Sequence, residues 1–147
     1  MRVIIFDCAN TEEIVNHFIA YGFDSFVIFG KNITKAALKY YSLNGIEIIM
    51  LNSMQNQSTK EKLTNIKGSL NESFIIAYSC SVCDFDLDKI KKYHRKGQCT
   101  ATAVQSQKKL CALMCDCEIF DFFDNTVSFE ADVILKLGEN NELNIYQ

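Results

Sequence analysis

The sequence predicts an α/β protein: a mostly parallel sheet with helices on both faces, followed by a β-rich C-terminal extension. Three observations carry that reading. Short apolar runs alternate with amphipathic segments through the first two thirds of the chain, as βα repeats do. Three of the first four runs contain no charged residue, which suits strands buried on both faces. Capping and turn residues stand at the joints between the segments.

The elements follow in order. Val3-Ile4-Ile5-Phe6 is the first strand. Thr11 is placed to cap a helix running to Tyr21, with Ile14, Phe18 and Tyr21 at core spacing and Gly22 as its stop. Phe26-Val27-Ile28-Phe29 is the second strand, and Thr34 opens a helix through Ala37, Leu38 and Tyr41 that closes near Asn44-Gly45. Ile46-Glu47-Ile48-Ile49-Met50 is a third strand, and residues 58–68 make an amphipathic helix through Leu63, Ile66 and Lys67. Phe74-Ile75-Ile76-Ala77 is a fourth strand, followed by a helix from Asp86 to Lys96 that carries Ile90, Tyr93 and His94 among five lysines and arginines. Beyond it, residues 100–105, 110–115, 119–123, 126–129 and 133–137 read as strands, with turns at Asp124-Asn125 and Gly138-Glu139. The whole is a Rossmann-like three-layer sandwich with a β-rich tail.

Composition excludes several classes. A chain of 147 residues suits a single domain, here residues 1–147, with a real core. A net charge of −3 gives no electrostatic reason to bind a polyanion, so nucleic acid is not expected. No apolar stretch reaches membrane-spanning length, and the N-terminus lacks the charged-then-apolar pattern of a secretory signal. With that pattern absent, seven cysteines, an odd number, read as reduced thiols in a cytoplasmic protein.

Cys80, Cys83, Cys115 and Cys117 form two close pairs that could supply a tetrahedral zinc site. The simpler reading is unligated thiols acting as small apolar residues. A redox role for the Cys80/Cys83 pair is disfavoured because Asp84, Asp86 and Asp88 would oppose a thiolate. Those three aspartates are themselves read as helix-capping rather than metal-binding. His17 and His94 read as structural, the basic run from Lys89 to Lys96 as a solvated face, and Phe120, Phe122, Phe123 and Phe129 as core. In a doubly wound sheet the ligand crevice lies at the C-terminal strand ends, where Cys8, Gly30 and Cys80 fall, with Cys111 nearby.

The segment FIIAYSCSVCDFDLDKIKKYHRKGQCTATAVQ, followed by LCAL, resembles the middle of sugar-1-phosphate nucleotidyltransferases of the glucose-1-phosphate cytidylyltransferase type. Tyr78, Val82, Asp84, His94, Gly97, Thr100, Thr102, Ala103, Val104, Gln105, Ala112 and Leu113 fall on that pattern in order. A weaker match at Tyr21-Gly22-Phe23 and Phe26-Val27-Ile28 extends the span to residues 11–130. The resemblance implies a nucleotide-diphospho-sugar transferase-like fold with its nucleotide at the strand ends. The departures are chemical. Cys80 stands where the family has a metal-binding Asp, and a thiol is a poor partner for magnesium. Ser79 and Ser81 replace flanking glycines, and no Gly-rich phosphate loop or its Arg is present. Arg2 to Cys8 is either the family's first strand with that loop deleted or a later strand; both alignments are open on the sequence. Val127-Ser128-Phe129-Glu130 resembles the strand before the family's Glu-Lys-Pro motif, with Ala131-Asp132 in place of Lys and Pro.

The expectation is a degenerate nucleotidyltransferase-like protein without nucleotidyl transfer, acting as an interaction or assembly protein that self-associates through its C-terminal third. No cofactor is expected. A second copy or another protein is the expected partner. The alternatives are a nucleotide or sugar-phosphate binding module, with Lys31, Tyr78, Ser79 and Ser81 lining a vestigial pocket, and a nucleotidyltransferase completed by a partner chain. Zinc at the four cysteines is the minor alternative.

Overall fold

The computed structural model describes residues 1–6, 8–52 and 57–147. Seven strands among them form one sheet: β1 (Arg2–Phe6), β2 (Ser25–Phe29), β3 (Glu47–Leu51), β4 (Phe74–Ala77), β5 (Ala101–Ser106), β6 (Lys109–Cys115) and β7 (Leu143–Tyr146). Their order across the sheet is β3-β2-β1-β4-β6-β5-β7. β1 pairs in parallel with β2 and β4, β2 with β3, and β5 with β7, while β6 runs antiparallel between β4 and β5. The predicted mostly parallel α/β class is the observed one.

Period-two alternation divides the apolar residues of the strands between two cores. Ile4, Val27, Phe29, Phe74, Ile76, Ala103 and Leu113 face α3 (Thr59–Ile66) and the C-terminal helical turns. Val3, Ile5, Phe26, Ile28, Ile75, Ala77 and Met114 face α1 (Thr11–Ala20), α2 (Lys35–Leu43) and α4 (Leu87–Gly97). We call these the α3 face and the α1 face.

The caps at Thr34, Ser58 and Asp86 form as expected: each side chain accepts a backbone N–H of the first helical turn. Thr11 does not cap α1. Its hydroxyl is buried and donates instead to the Cys8 carbonyl at 2.9 Å, and Asn10 precedes the helix. Gly22 and Gly45, with φ of +86° and +75°, end α1 and α2 in the left-handed region that glycine adopts without strain.

In the C-terminal third, the runs 100–105 and 110–115 form β5 and β6 as expected, and the segments after them depart from expectation. Residues 119–123, read as a strand, lie in a 3₁₀ turn, Cys117–Phe122, and its exit. Residues 126–129 and 133–137, also read as strands, belong to a loop, a π-helical turn (Phe129–Val133) and α5 (Ile134–Glu139). Phe129, Val133 and Leu137 are spaced four apart and all buried, which is a helical stripe. The Asp132 carboxylate accepts the Val127 and Ser128 N–H groups at 2.8 and 2.9 Å, and these bonds hold its pKa below the usual aspartate value. Strand β7 was not anticipated. Its residues, Leu143-Asn144-Ile145-Tyr146, are only partly buried at the sheet edge, so the apolar signal is weak.

β7 docks against the end of α4 through a close approach. A Cβ on Gly97 would lie 1.6 Å from Asn144 Nδ2 and 2.8 Å from its Cγ, and Asn144 Oδ1 accepts the Cys99 thiol at 3.4 Å. Gly97→Ala therefore displaces Asn144 and destabilises the wild-type chain in a urea titration. In an Asn144→Ala background the clash is absent, and the same change stabilises by up to about 1 kcal/mol through helix propensity. The same sign in both backgrounds refutes the contact.

Candidate functional site at the strand ends

Strand order reverses between β1 and β4, with β2 and β3 to one side and β4 to the other. In an open α/β sheet, ligands bind outside the C-terminal strand ends at such a switch point. Three short segments surround this mouth: Cys8-Ala9-Asn10 after β1, Gly30 to Thr34 after β2, and the 3₁₀ turn Cys80–Asp84 after β4. β1 is the first strand and lies centrally in the sheet, and residues 7–10 lie between it and α1. Asp7 of that connection lies outside the described residues.

The polar groups of these segments bond to one another. The Cys8 carbonyl accepts both the Thr11 hydroxyl, at 2.9 Å, and the Asn32 side-chain amide, at 3.1 Å. The Glu12 carboxylate accepts the Thr34 N–H at 2.8 Å, and the Thr34 hydroxyl accepts the Ala37 N–H at 3.1 Å. Behind them the Tyr41 hydroxyl donates to Asn16 Oδ1 at 2.8 Å, while burial first, then the Glu12 and Tyr40 charges, push its pKa up. Glu12 and Glu13 occupy the first turn of α1, so carboxylates already offset the positive end of that helix and would repel a phosphate. Neither Glu12 nor Asn32 stood out in the sequence, because each bond links segments about twenty residues apart.

Of the four predicted pocket residues, Tyr78 turns away from the loops of the mouth. Tyr78 turns to the α3 face, where its ring lies 5.8 Å from Phe6, and its hydroxyl is buried without a hydrogen-bond partner among the described residues. Burial first, then Glu130 and Cys115, push its pKa well up. Ser79 and Ser81 are half-buried, before and within the turn that follows β4. Lys31 is exposed in the β2–α2 connection. A cation that the sequence did not single out, Lys62, stands 5.2 and 5.8 Å from the Phe6 and Phe29 ring centres.

Cys8, Cys80 and Cys83 pack around the α1-face core, and Cys111 is buried beside Tyr78, whose N–H donates to its carbonyl at 2.9 Å. Burial, followed by the charges of Glu13, Cys80, Asp84 and Cys8, pushes the Cys83 thiol up to about 11. The four-cysteine zinc arrangement does not form. Cys115 pairs with Phe74 at the start of β4, whereas Cys80 lies past the end of that strand, roughly 10 Å or more away. A tetrahedral site needs its sulfurs within about 4 Å of one another. Cys117 instead lies 3.2 Å from both the Leu70 and Glu72 carbonyls, at the far end of the sheet. Among the described residues, no three His, Cys, Asp or Glu side chains are grouped to hold a metal ion. Asp86 caps α4 by accepting the Asp88 and Lys89 N–H groups, and Asp88 pairs with Lys91 at 3.1 Å.

One cluster has the outline of a catalytic relay. His94 bridges Thr102 Oγ1, 2.8 Å from Nδ1, and Asp116 Oδ1, 3.1 Å from Nε2, and Asp116 also accepts the Ser73 hydroxyl at 2.6 Å. Thr102 is 0% exposed and the cluster sits at the end of the sheet opposite the mouth, so no substrate reaches its hydroxyl. It is a structural network that pins α4 to β5 and to the exit of β6. His17 is likewise structural, with Nε2 3.1 Å from the Phe85 carbonyl. Phe120, Phe123 and Phe129 pack in the core, with ring centres 5.0 and 5.8 Å apart in sequence order.

No family model and no curated protein matches the chain. Solved structures do. A nucleotide-diphospho-sugar transferase of Desulfovibrio desulfuricans G20 matches with a TM-score of 0.58 at 11% identity, over 99% of this chain and 78% of that one. Molybdopterin-guanine dinucleotide biosynthesis protein A of Archaeoglobus fulgidus matches with a TM-score of 0.56 at 14% identity, over 99% and 83%. A 4-diphosphocytidyl-2C-methyl-D-erythritol synthase matches with a TM-score of 0.58 at 10% identity, over 99% and 92%. The class is therefore the nucleotide-diphospho-sugar transferase fold. At the mouth of this chain, thiols, hydroxyls and two first-turn glutamates stand at the strand ends. No helix among the described residues is long and apolar enough to cross a membrane.

Two outcomes test this description. With its pKa at about 11, Cys83 holds roughly a thousandth of its population as thiolate at pH 8, so alkylation mapped by mass spectrometry is slow there and accelerates tenfold per pH unit up to its pKa. Fast labelling of Cys83 at neutral pH overturns the assignment. Removing the imidazole in His94→Leu leaves Thr102 and Asp116 without their partner and costs about 1–3 kcal/mol in a urea titration. A change under about 0.5 kcal/mol, the range of neutral surface substitutions, refutes the network.

Proposed function

We propose that this chain keeps the nucleotide-diphospho-sugar transferase fold without nucleotidyl transfer, and acts as an interaction or assembly protein. The observation that supports it is the mutual bonding of the strand-end loops: Thr11, Asn32, Glu12 and Thr34 satisfy the mouth's own backbone rather than converging on a ligand. Transfer of a nucleotidyl group depends on positioning and on neutralising phosphate charge by metal and cations. Cys80 stands where the resembled family has a metal carboxylate, residues 7–10 contain no glycine, and Glu12 and Glu13 add negative charge. The candidate cation Lys31 is exposed, and Tyr78 packs into the core on the α3 face.

A thermal-shift titration with CTP, UTP, glucose 1-phosphate, magnesium and zinc separates this reading from its rivals. A ligand at a hundred times its Kd stabilises the folded state by about 2.7 kcal/mol, which is several degrees for a chain of this size. The expected result is no magnesium-dependent nucleotide shift. Such a shift sinks the proposal in favour of a binding module or of an enzyme completed by a partner chain, and nucleotide transfer after adding cell extract separates those two.

A further inference from the structure

The two edges of the sheet are finished differently. At the β7 edge, the Tyr93 hydroxyl from α4 donates to the Ile145 carbonyl at 2.9 Å, and the Tyr93 and Tyr146 rings meet at 5.2 Å. At the β3 edge no described residue plays that part. β3 pairs with β2 over all five residues without a bulge, contains no proline or lysine, and its one charged side chain, Glu47, is bound by Arg2 at 3.2 Å. These are the features that protected edges lack.

Hydrogen bonding fixes which groups are left over. The Glu47 N–H donates to Asp24 and the Leu51 carbonyl accepts from Gly30, so residues 47, 49 and 51 turn their backbone toward β2. Ile48 and Met50 then turn theirs outward. Both layers beside this edge offer accessible apolar side chains. Tyr40 and Leu43 of α2 are 63% and 77% exposed. On the α3 face, Val27, Phe29, Ile49 and Leu51 floor a cavity of about 530 Å³ beside Ile66.

We propose that β3 is a homodimer interface, pairing antiparallel with β3 of a second copy about a two-fold axis at Ile49. Unpaired backbone groups along an extended strand specify another strand as the occupant, and the one-charge sequence of β3 fits a second copy of itself in antiparallel order. Antiparallel order about Ile49 sets Ile48 opposite Met50 of the second copy, giving roughly four backbone hydrogen bonds. It sets Glu47 opposite Leu51 and keeps the two Glu47 carboxylates at opposite ends, whereas parallel order would place them side by side. The patch is self-complementary, as an isologous interface requires. Four hydrogen bonds fall short of the roughly ten of a standard interface, so the α2 side chains and the cavity must add apolar burial and the dimer is weak. Self-association is thereby assigned to the β3 edge and away from the C-terminal third, where residues 119–123 and 133–137 lie in helical turns and Tyr93 bonds to the β7 edge. The inference goes beyond the reading of the mouth and does not rest on it, since no described residue pairs with the outer edge of β3 whether or not the mouth binds nucleotide.

The test is light scattering of the full chain from about 10 µM to about 1 mM, combined with amide hydrogen exchange at both ends of that range. The expected mass rises from 16.8 kDa toward twice that value, with protection gained at the Ile48 and Met50 amides. Leu43→Glu, on a largely exposed side chain, returns the protein to monomer with an unchanged melting temperature. A mass of 16.8 kDa at every concentration overturns the proposal. So does a dimer whose Ile48 and Met50 amides exchange as fast as in the dilute protein, or one that Leu43→Glu leaves intact.

Discussion

The parallel pairing of β1 with β2 on one side and β4 on the other is the constraint on which the rest of this structure depends. Parallel neighbours cannot be joined by tight turns, so each connection must cross a face of the sheet, and helices cover both sides. That leaves Val3, Ile4 and Ile5 fully buried, and in β4 every residue from Phe74 to Ala77. It also brings the ends of β1 and β4 together where the strand order reverses, which defines the mouth before any side chain there is considered. The antiparallel β6 then reverses the chain once. Tyr78 meets Cys111 at one end, and Asp116 meets Ser73 and His94 at the other. The mouth and the buried relay-like cluster are thus products of one pairing scheme at opposite ends of the same strands.

How much of this was legible in the sequence follows from signal strength. Strands β1, β2 and β4 are unbroken apolar runs, and Thr34, Ser58 and Asp86 announce helix starts by a local hydrogen bond that needs no tertiary context. The runs 100–105 and 110–115 are β5 and β6 as read, whereas the reading of residues 119–137 failed because short apolar runs do not distinguish strand from helix. Phe129, Val133 and Leu137 share a four-residue period, but the runs 126–129 and 133–137, read separately, each show only one or two members of that stripe. β7 was missed for the opposite reason. An edge strand covered by α4 needs few apolar residues of its own, and Leu143-Asn144-Ile145-Tyr146 draws its stability from its pairing with β5.

The site was legible in place and not in content. The strand-end rule put Cys8, Gly30, Cys80 and Cys111 around the mouth, and that is where they lie. The direction of Tyr78 was not legible, because the residue after a strand of four can turn to either face. Continuation of the β4 pleat sends it to the α3 face with Phe74 and Ile76. The separation of Cys80 and Cys83 from Cys115 and Cys117 was equally hidden, since it depends on β6 running antiparallel to β4.

What distinguishes this mouth is the balance between self-satisfaction and ligand readiness. A site poised to receive a phosphate keeps backbone N–H groups and cations unspent, because donors already paired must give up those bonds on binding. Here the Thr34 N–H is paired to Glu12, and the Cys8 carbonyl, which takes two donors, locks the β1 and β2 loops together. Each bond is worth only about 1 kcal/mol, so together they stiffen the loops more than they stabilise the fold. Opening them for an anion would forfeit those bonds and then bring the anion against the Glu12 and Glu13 carboxylates, a cost that low salt would increase rather than relieve. The strand ends therefore present donors that are already paired, beside two first-turn carboxylates. Among the described residues, β3 lies at the edge of the sheet and pairs with β2 alone.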